Sequence, residues 1–275
     1  MKVFLTGGSG YVGRPTVRAL RRHGHEVSAL ARSDASARVL TELGATPVPG
    51  DLTATDVLRA AAAAADGVIH LGQHYGDDTA EVDLAAAEAL QSGLGDRGPY
   101  VHTGGVWVYG DTAGVVDEDA PQNPPAITAW RRANEERVLS RGGHPVLVMP
   151  GLVYGPGGGL IETFFAAPVP LIGDGTNHWA LVHVEDIAEL YALALRAPAK
   201  SVYAGVGGQN VPLADIVAVL AAGGPIARLT LAEAVERMGP IAEAFALDQQ
   251  VTPARARREL GWEPRHLDAL TELRG

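Results

Sequence analysis

The sequence predicts an α/β protein with a doubly wound parallel sheet, a Rossmann fold, and a smaller, interleaved C-terminal lobe. Two observations support this. Short β-rich segments alternate with helix-like segments through the first 150 residues, and a glycine-rich turn joins the first strand to the first helix. Strands separated by helices at this spacing pair in parallel through crossover connections.

Each predicted strand is a short apolar or β-branched run bounded by turn residues or charges. The strands are KVFLT (2–6), EVSAL (26–30), GVIHL (67–71), YVHTG (100–104) and PVLVM (145–149), with ATPVPG (45–50) as a weaker one. Helices are predicted between them at VGRPTVRALRRHG, SARVLTELG, DVLRAAAAAADG, TAEVDLAAAEALQ and ITAWRRANEERVL. The alanine run 60–65 favours a helix by intrinsic propensity.

The pattern changes after residue 150. Residues 151–177 are rich in glycine and proline and predict loops with one short helix around 160–166. Regular elements then resume, with strands at 179–184 and 201–207, helices at 184–197 and 213–224, and short helices near 231–238, 253–260 and 267–273.

Composition excludes several classes of protein. The chain has 275 residues and a net charge of −10, which argues against a nucleic-acid partner. It has no cysteine, and no apolar run approaches the length of a membrane span. The nine histidines form no HExxH motif, so we expect no metal site. We expect a cytoplasmic chain without a membrane partner.

The turn TGGSGYVG (6–13) is the strongest functional signal. Gly7 allows a tight turn, Gly10 lets the backbone approach a pyrophosphate, and Gly13 allows close packing of helix against strand. The following helix presents free N–H groups to phosphates. Because the triplet follows a strand and opens a helix, it predicts a dinucleotide site.

The end of the second strand indicates which dinucleotide binds. NAD sites place an acidic residue there, whereas NADP sites often place an arginine near the 2′-phosphate. This chain has Arg32 and Ser33 at that point, with Asp34 one residue beyond. The sequence therefore favours NADPH/NADP⁺ as the cofactor.

Together with the turn, six further segments resemble motifs of the short-chain dehydrogenase/reductase superfamily, in its extended or atypical epimerase/dehydratase-like branch. They are GDLTA (50–54), GVIHLGQ (67–73), VHTGGVWVYG (101–110), PGLVYGPGG (150–158), LVHVEDIAEL (181–190) and ARARRELGWEP (254–264). The resemblance implies a dinucleotide-binding domain over 1–155, with elements of about 179–206 returning to the sheet, and a mainly substrate-binding lobe over 156–275. It implies these cofactor-binding residues: Thr6, Gly7, Gly10, Tyr11, Val12, Gly13, Arg32, Ser33, Asp51, Leu52, Leu71, Gly72, Gln73, Thr103, Arg132, Pro150, Gly151 and Leu152.

The catalytic residues usual in that superfamily are missing. Its members use a serine, a tyrosine, and a lysine four residues after the tyrosine. Only Lys2 and Lys200 are lysines here, and neither follows a tyrosine at that spacing. Aligned on the closing Tyr109-Gly110, the serine position is Gly105, with the Thr103 hydroxyl two residues earlier.

On the helix ITAWRRANEERVL, the tyrosine and lysine positions fall at Thr128 and Arg132. A shift of two residues gives Trp130 and Asn134 instead. The candidate catalytic residues are therefore Thr128, Arg132, Thr103 and Tyr154.

The source of a proton is left open among several groups. Arg132 is a poor donor because a guanidinium retains its proton. The candidate donors are Tyr154, His74, Tyr75, His102, Tyr109 and Thr128. A second hypothesis is that a phenolic hydroxyl beside the ketone, as in aromatic polyketides, activates the substrate itself. It is motivated by aromatic residues expected near the cleft: Trp107, Trp130, Phe164, Phe165 and Trp179.

These observations lead to one preferred function and two alternatives. We expect NADPH-dependent reduction of a small, aromatic polyketide-type ketone, as in tailoring ketoreductases of antibiotic biosynthesis that act on angucyclinones. The alternatives are a cofactor-retaining epimerase, isomerase or dehydratase, and a non-catalytic NADP(H) sensor. Members of the branch often form homodimers, so a homodimer is expected from the resemblance.

Overall fold

The computed structural model describes residues 1–274, in which strands and helices alternate from the first residues onward. The strands are β1 Lys2–Thr6, β2 Glu26–Ala31, β3 Thr46–Pro49, β4 Gly67–His70, β5 Pro99–Thr103, β6 Val115–Val116, β7 His144–Pro150, β8 Leu152–Tyr154, β9 Val169–Ile172, β10 His178–His183, β11 Val202–Gly205, β12 Gln209–Pro212, β13 Ile226–Leu229 and β14 Gln250–Val251. The α-helices are α1 Gly13–Arg22, α2 Asp34–Glu42, α3 Thr55–Ala63, α4 Thr79–Leu94, α5 Ala129–Ser140, α6 Leu160–Phe164, α7 Val184–Ala194, α8 Leu213–Ala221, α9 Leu231–Met238, α10 Ile241–Phe245, α11 Ala254–Leu260 and α12 Ala269–Glu272.

The largest sheet confirms the predicted α/β fold. Its seven strands have the order β11-β7-β5-β4-β1-β2-β3, and every pair from β3 to β7 is parallel. All six strands predicted in the first 150 residues belong to it. β4 is buried along its whole length, because helices cover the interior strands of a parallel sheet on both faces.

The helices that connect these strands bury their apolar faces. α1 buries Val17 and Leu20 and places Arg21 and Arg22 in its last turn, where cations stabilise the helix dipole. The alanine-rich α3 packs against α4, and the two helices help to enclose a core with Phe4, Leu58, Leu90 and Tyr100. The alanine run is thus a helix, as predicted.

The segment predicted as loops, 151–177, contains two strands as well as the short helix α6. β8 pairs in parallel with β10, and β9 pairs in parallel with β13. Expecting only loops besides the helix was wrong because each strand has three or four residues and a partner distant in sequence. Neither strand is long enough to show an alternating pattern.

The late elements form smaller sheets. β10 joins β8 and β12 in a three-stranded sheet, whereas β11 lies beside β7 in the large sheet. A second apolar core forms here around the side chains of Phe165, Trp179, Ile216 and Phe245.

The chain forms two compact units that interleave along the sequence. Unit 1 comprises residues 1–104, 133–148 and 188–203, and unit 2 comprises residues 105–132, 149–187 and the chain from Ala204 onward. Among the described residues, no helix is both long enough and apolar enough to cross a membrane.

Candidate functional site: a glycine turn at the carboxyl edge of the sheet

The glycine turn of unit 1 connects β1 to α1 in a conformation that requires glycine. Gly7 has a φ of +71°, and a Cβ there would lie 2.8 Å from the carbonyl carbon of Leu71. A Cβ on Gly13 would overlap the carbonyl oxygen of Gly7. The N–H of Gly10 donates to that same oxygen at 3.0 Å and closes the turn. The backbone of this turn therefore has no room for a side chain at Gly7 or Gly13.

Thr6 links this turn to the end of β4. Its hydroxyl accepts the N–H of Gly72 at 2.9 Å and lies 2.6 Å from Nδ1 of His70. A Cβ on Gly72 would lie 3.0 Å from Leu52. The structure thus brings together four predicted cofactor residues, Thr6, Gly7, Leu52 and Gly72, where β1 and β4 end. Ligands of parallel sheets bind at this carboxyl edge.

The residues present fit a pyrophosphate. α1 begins at Gly13, and no side chain caps its N-terminus. The first N–H groups of a helix lack intrahelical acceptors, and together with the helix dipole they attract anions. Tyr11 and Val12, the residues just before α1, are half-buried.

Arg32 and Ser33 lie where β2 ends and α2 begins. Arg32 is exposed, and the Ser33 hydroxyl caps α2 by accepting the N–H of Ser36 at 3.2 Å. Asp34 is exposed in the first turn of α2. A cation beside a capped helix N-terminus offers a positive environment to a phosphate.

Two further predicted residues flank the site. Asp51 accepts both the hydroxyl and the backbone N–H of Thr53, at 2.6 and 2.9 Å, and these hydrogen bonds lower the pKa of its carboxyl. Leu71 is half-buried beside the turn, and Gln73 is exposed one residue beyond Gly72.

Thr103 ends β5, and its hydroxyl is held by two contacts within unit 1. It donates to the carbonyl oxygen of His70 at 2.7 Å and lies 2.9 Å from the hydroxyl of Tyr191, which is fully buried. The single proton of Thr103 is thereby directed to a protein carbonyl.

The positions where tyrosine and lysine were expected lie at the start of helix α5. Thr128, just before the helix, is buried and donates to the carbonyl of Pro125 at 3.4 Å. Arg132 is exposed, and its guanidinium donates to the carbonyl of Gln122 at 3.5 Å. Further along the helix, Asn134 and Glu135 are buried.

Four predicted residues lie around β8 in unit 2. Pro150 ends β7, the N–H of Gly151 donates to the carbonyl of Gly205 at 3.0 Å, and Leu152 pairs with Leu181. Tyr154 is buried and donates to the carbonyl of His266 at 3.3 Å. Burial, followed by the charge of Glu272, raises the pKa of the Tyr154 phenol.

The remaining candidate proton donors lie in different surroundings. His102 is buried 2.9 Å from the Tyr100 hydroxyl, and Tyr109 donates to the carbonyl of Glu118 at 3.3 Å. His74 lies 2.9 Å from the Asp78 carboxylate on the loop after β4. Tyr75, on the same loop, is 81% exposed.

Sequence reasoning missed a buried polar group in unit 1. The Asp83 carboxylate on α4 accepts the amide of Asn134 at 2.9 Å, and it lies 3.7 Å from Nε2 of His70 and 3.8 Å from Nε2 of His102. Strand and helix patterns give no sign of this group, since an isolated aspartate in an alanine-rich helix is typical of a solvated face. The motif GVIHL contains His70 but does not indicate its partner.

The parallel sheet and the glycine turn at its carboxyl edge define a dinucleotide-binding protein. A sequence profile of the NAD dependent epimerase/dehydratase family matches residues 3–205. The chain belongs to this family.

Comparison with individual proteins agrees with this assignment. YLL056C of Saccharomyces cerevisiae, described only as uncharacterized, is 31% identical over 100% of this chain and 98% of its own. A 4-hydroxy-2-methyl-3-oxo-4-farnesyl-3,4-dihydroquinoline-1-oxide ketoreductase of Stigmatella aurantiaca is 28% identical over 80% of this chain and 72% of its own. The human epimerase family protein SDR39U1, solved with NADPH, has the same fold, with a TM-score of 0.80 and 21% identity over 100% of this chain and 98% of its own.

Proposed function

We propose that the protein reduces a ketone on a small aromatic substrate with NADPH. One observation carries the proposal: the glycine turn is intact, yet the hydroxyls of Thr103, Thr128, Tyr109 and Tyr154 all donate to protein carbonyls. A ketone that carries its own hydroxyl needs no such donor. Reductase-named relatives, including the quinoline-oxide ketoreductase, support the reaction class.

The preference for NADPH rests on Arg32 and Ser33. The exposed guanidinium supplies charge-assisted donors to the 2′-phosphate, and the Ser33 hydroxyl caps the helix beside it. Gly7, Gly10 and Gly13 place their backbone against the pyrophosphate. When bound, NADPH supplies the hydride.

The substrate supplies the proton, in this proposal. Hydride addition to the carbonyl carbon breaks the C=O π bond and places negative charge on oxygen. A phenolic hydroxyl next to the ketone transfers its proton to that oxygen, and solvent then reprotonates the phenolate. Orientation of the two reactants alone can account for a large part of the rate enhancement.

A matched pair of ketones tests the proposal. With NADPH, 8-hydroxy-1-tetralone should be reduced at least about 10²-fold faster than 8-methoxy-1-tetralone, because a positioned general acid contributes about 10² to 10⁴ in rate. The alcohol is identified by mass spectrometry, with deuterium incorporated from 4-deuterated NADPH. Equal turnover of both ketones, or turnover of neither, contradicts substrate assistance.

A non-catalytic NADPH sensor is the second candidate function. Hydroxyls that are hydrogen-bonded within the protein are also compatible with a protein that binds the cofactor and catalyses no reaction. NADPH binding with no oxidation across a panel of ketones supports the sensor. Product formation without net consumption of cofactor indicates an isomerase or epimerase. Our proposal includes a homodimer, which light scattering coupled to size-exclusion chromatography tests directly.

A further inference from the structure

Trp107 lies on a short 3₁₀ helix, Val106–Tyr109, that is held at both ends within unit 2. The buried amide of Gln249 donates to the carbonyls of Val106 and Gly110, at 2.9 and 3.0 Å. The Tyr109 hydroxyl fixes the last residue of the turn to Glu118. Hydrogen bonds from side chains therefore hold the backbone that carries the Trp107 indole.

The indole packs against an aromatic cluster centred on Phe245. Its ring meets the Phe245 ring edge-on, with centroids 5.8 Å apart and planes 88° apart. Phe164 contacts Phe245 at the same centroid distance. Phe165 and Trp179 complete the cluster and are buried, whereas Trp107 and Phe164 are only half-buried. Both rings thus pack against the core and keep part of their surface accessible to solvent.

Space opens immediately before Trp107 in the chain. A Cβ on Gly105 would meet no heavy atom within 4 Å, whereas a Cβ on Gly104 would overlap the Glu135 carboxylate. Gly105 follows the end of β5 by two residues and is the first residue of unit 2. A group that fills the space beside Gly105 therefore lies next to the turn that carries the indole.

We propose that Trp107 is a specificity-determining residue that selects substrates with a planar aromatic ring. The inference deepens the proposed ketone reduction and rests on it for the identity of the reacting group. An aromatic ring held edge-to-face or offset against an indole gains stabilisation that a saturated ring of similar size does not. Since hydrogen bonds already hold the turn, binding requires little ordering of its backbone.

Phe164 extends the same surface but plays a smaller part. It lies on α6, which has five residues and no side-chain cap, so its position is less constrained than that of Trp107. We therefore expect Trp107 to dominate recognition.

The test compares two alcohols of one skeleton, 1-naphthol and 1-decalol, titrated calorimetrically into the full chain with NADP⁺. Trp107→Ala should weaken 1-naphthol binding about tenfold and 1-decalol binding less than twofold. Trp107→Phe should restore most of the 1-naphthol affinity. Val115→Ala, which removes an exposed apolar side chain of unit 2, should change neither titration.

Several results overturn the inference: no 1-naphthol binding to the wild type, equal losses for the two alcohols, or no loss in Trp107→Ala. Circular dichroism and thermal unfolding of each variant separate a lost contact from a lost fold. In steady-state kinetics, Trp107→Ala should raise KM for 8-hydroxy-1-tetralone about tenfold, while kcat stays within threefold. If the wild type reduces no ketone, the proposed reaction fails, and the calorimetric result still decides the role of Trp107.

Discussion

His183 and His266 stack face to face in unit 2, with ring centroids 3.5 Å apart and planes 21° apart. Glu272 lies at their edge, 3.0 Å from Nδ1 of His266 and 3.6 Å from Nε2 of His183. The backbone N–H of Glu185 donates to Nδ1 of His183 at 3.2 Å, so the neutral ring carries its proton on Nε2. The three side chains converge closely enough to suggest a metal site. With this tautomer, however, no lone pair of His183 faces Glu272, and Glu272 is hydrogen-bonded to His266.

The first prediction concerns acid stability. Burial, reinforced by the charge of His266, lowers the pKa of His183. The unfolded chain then takes up a proton near the ordinary value of 6.5 while the folded chain does not, so stability falls as pH drops below about 6.5. His183→Gln should remove this contribution. Urea unfolding at pH 7.5 and 5.5 should show a smaller loss of unfolding free energy in the variant than in the wild type.

The groups that face His183 determine how far its pKa is lowered. The carboxylates of Glu272, Asp186 and Glu185 oppose the shift of the pKa, and the Tyr154 ring packs against the imidazole at 5.2 Å. His183→Gln also removes the stacking contact with His266, so the difference between the two proteins reports on the His183–His266 pair. Identical pH slopes in wild type and His183→Gln would show that His183 does not titrate differently on folding.

A second prediction concerns Asp186, which is hydrogen-bonded to the C-terminal segment of unit 2. Its buried carboxylate accepts the backbone N–H groups of Arg265 and His266, each at 3.0 Å. Asp186→Ala leaves two donors without this acceptor and should lower the free energy of unfolding by about 2–4 kcal/mol. Asp186→Asn keeps one acceptor oxygen and should lose less. Urea denaturation measures both, with exposed Glu263→Gln as control.

An equal free energy of unfolding for Asp186→Ala and for the Glu263→Gln control would contradict this role of the Asp186 carboxylate. The Trp262 indole also donates to the backbone carbonyl of Asp186, at 3.0 Å, and every variant retains that contact. The measured loss therefore reports on the carboxylate alone.

The large sheet could be predicted because its strands are locally distinctive. β1 and β4 are continuous apolar runs, as expected for strands covered on both faces, and helices with clear faces separate them. β8, β9, β12 and β13 could not, because each has at most four residues and pairs with a strand far along the chain. Their stability comes from tertiary contacts that no local pattern records.

The candidate site, like the fold, could be predicted from the sequence only in part. A turn that requires Gly7 and Gly13 leaves a signature in the sequence, since other residues do not fit there. The hydrogen bonds from Gly72 to Thr6 and from Asn134 to Asp83 join residues 66 and 51 positions apart, and several residue types could serve each role. The roles assigned to Thr128 and Arg132 stay predictions.

A third prediction separates backbone strain from collision in the glycine turn. Gly7 and Gly24 have φ values of +71° and +77°, but only at Gly7 would a Cβ collide with neighbouring backbone. Gly24→Ala should cost only the strain of a positive φ, about 1–2 kcal/mol, and keep NADPH binding. Gly7→Ala should cost more and remove the thermal stabilisation that NADPH gives. Calorimetry with and without NADPH measures the thermal stability of each variant and its stabilisation by the cofactor. If both quantities are equal in Gly7→Ala and Gly24→Ala, the steric collision at Gly7 has no energetic cost.

The last prediction concerns the choice of cofactor at Arg32. A guanidinium bonded to the 2′-phosphate contributes about 1.5–3 kcal/mol, as hydrogen bonds to charged groups do, so Arg32→Ala should weaken NADPH binding roughly 10- to 100-fold. NADH lacks that phosphate, and its affinity should change less than threefold. Arg38→Ala, which removes another exposed arginine from α2, serves as the matched control and should leave both affinities unchanged. Titration of each variant with both nucleotides gives the ratio of dissociation constants. An equal loss for NADPH and NADH would place Arg32 away from the 2′-phosphate, because only a contact to that group distinguishes the two cofactors.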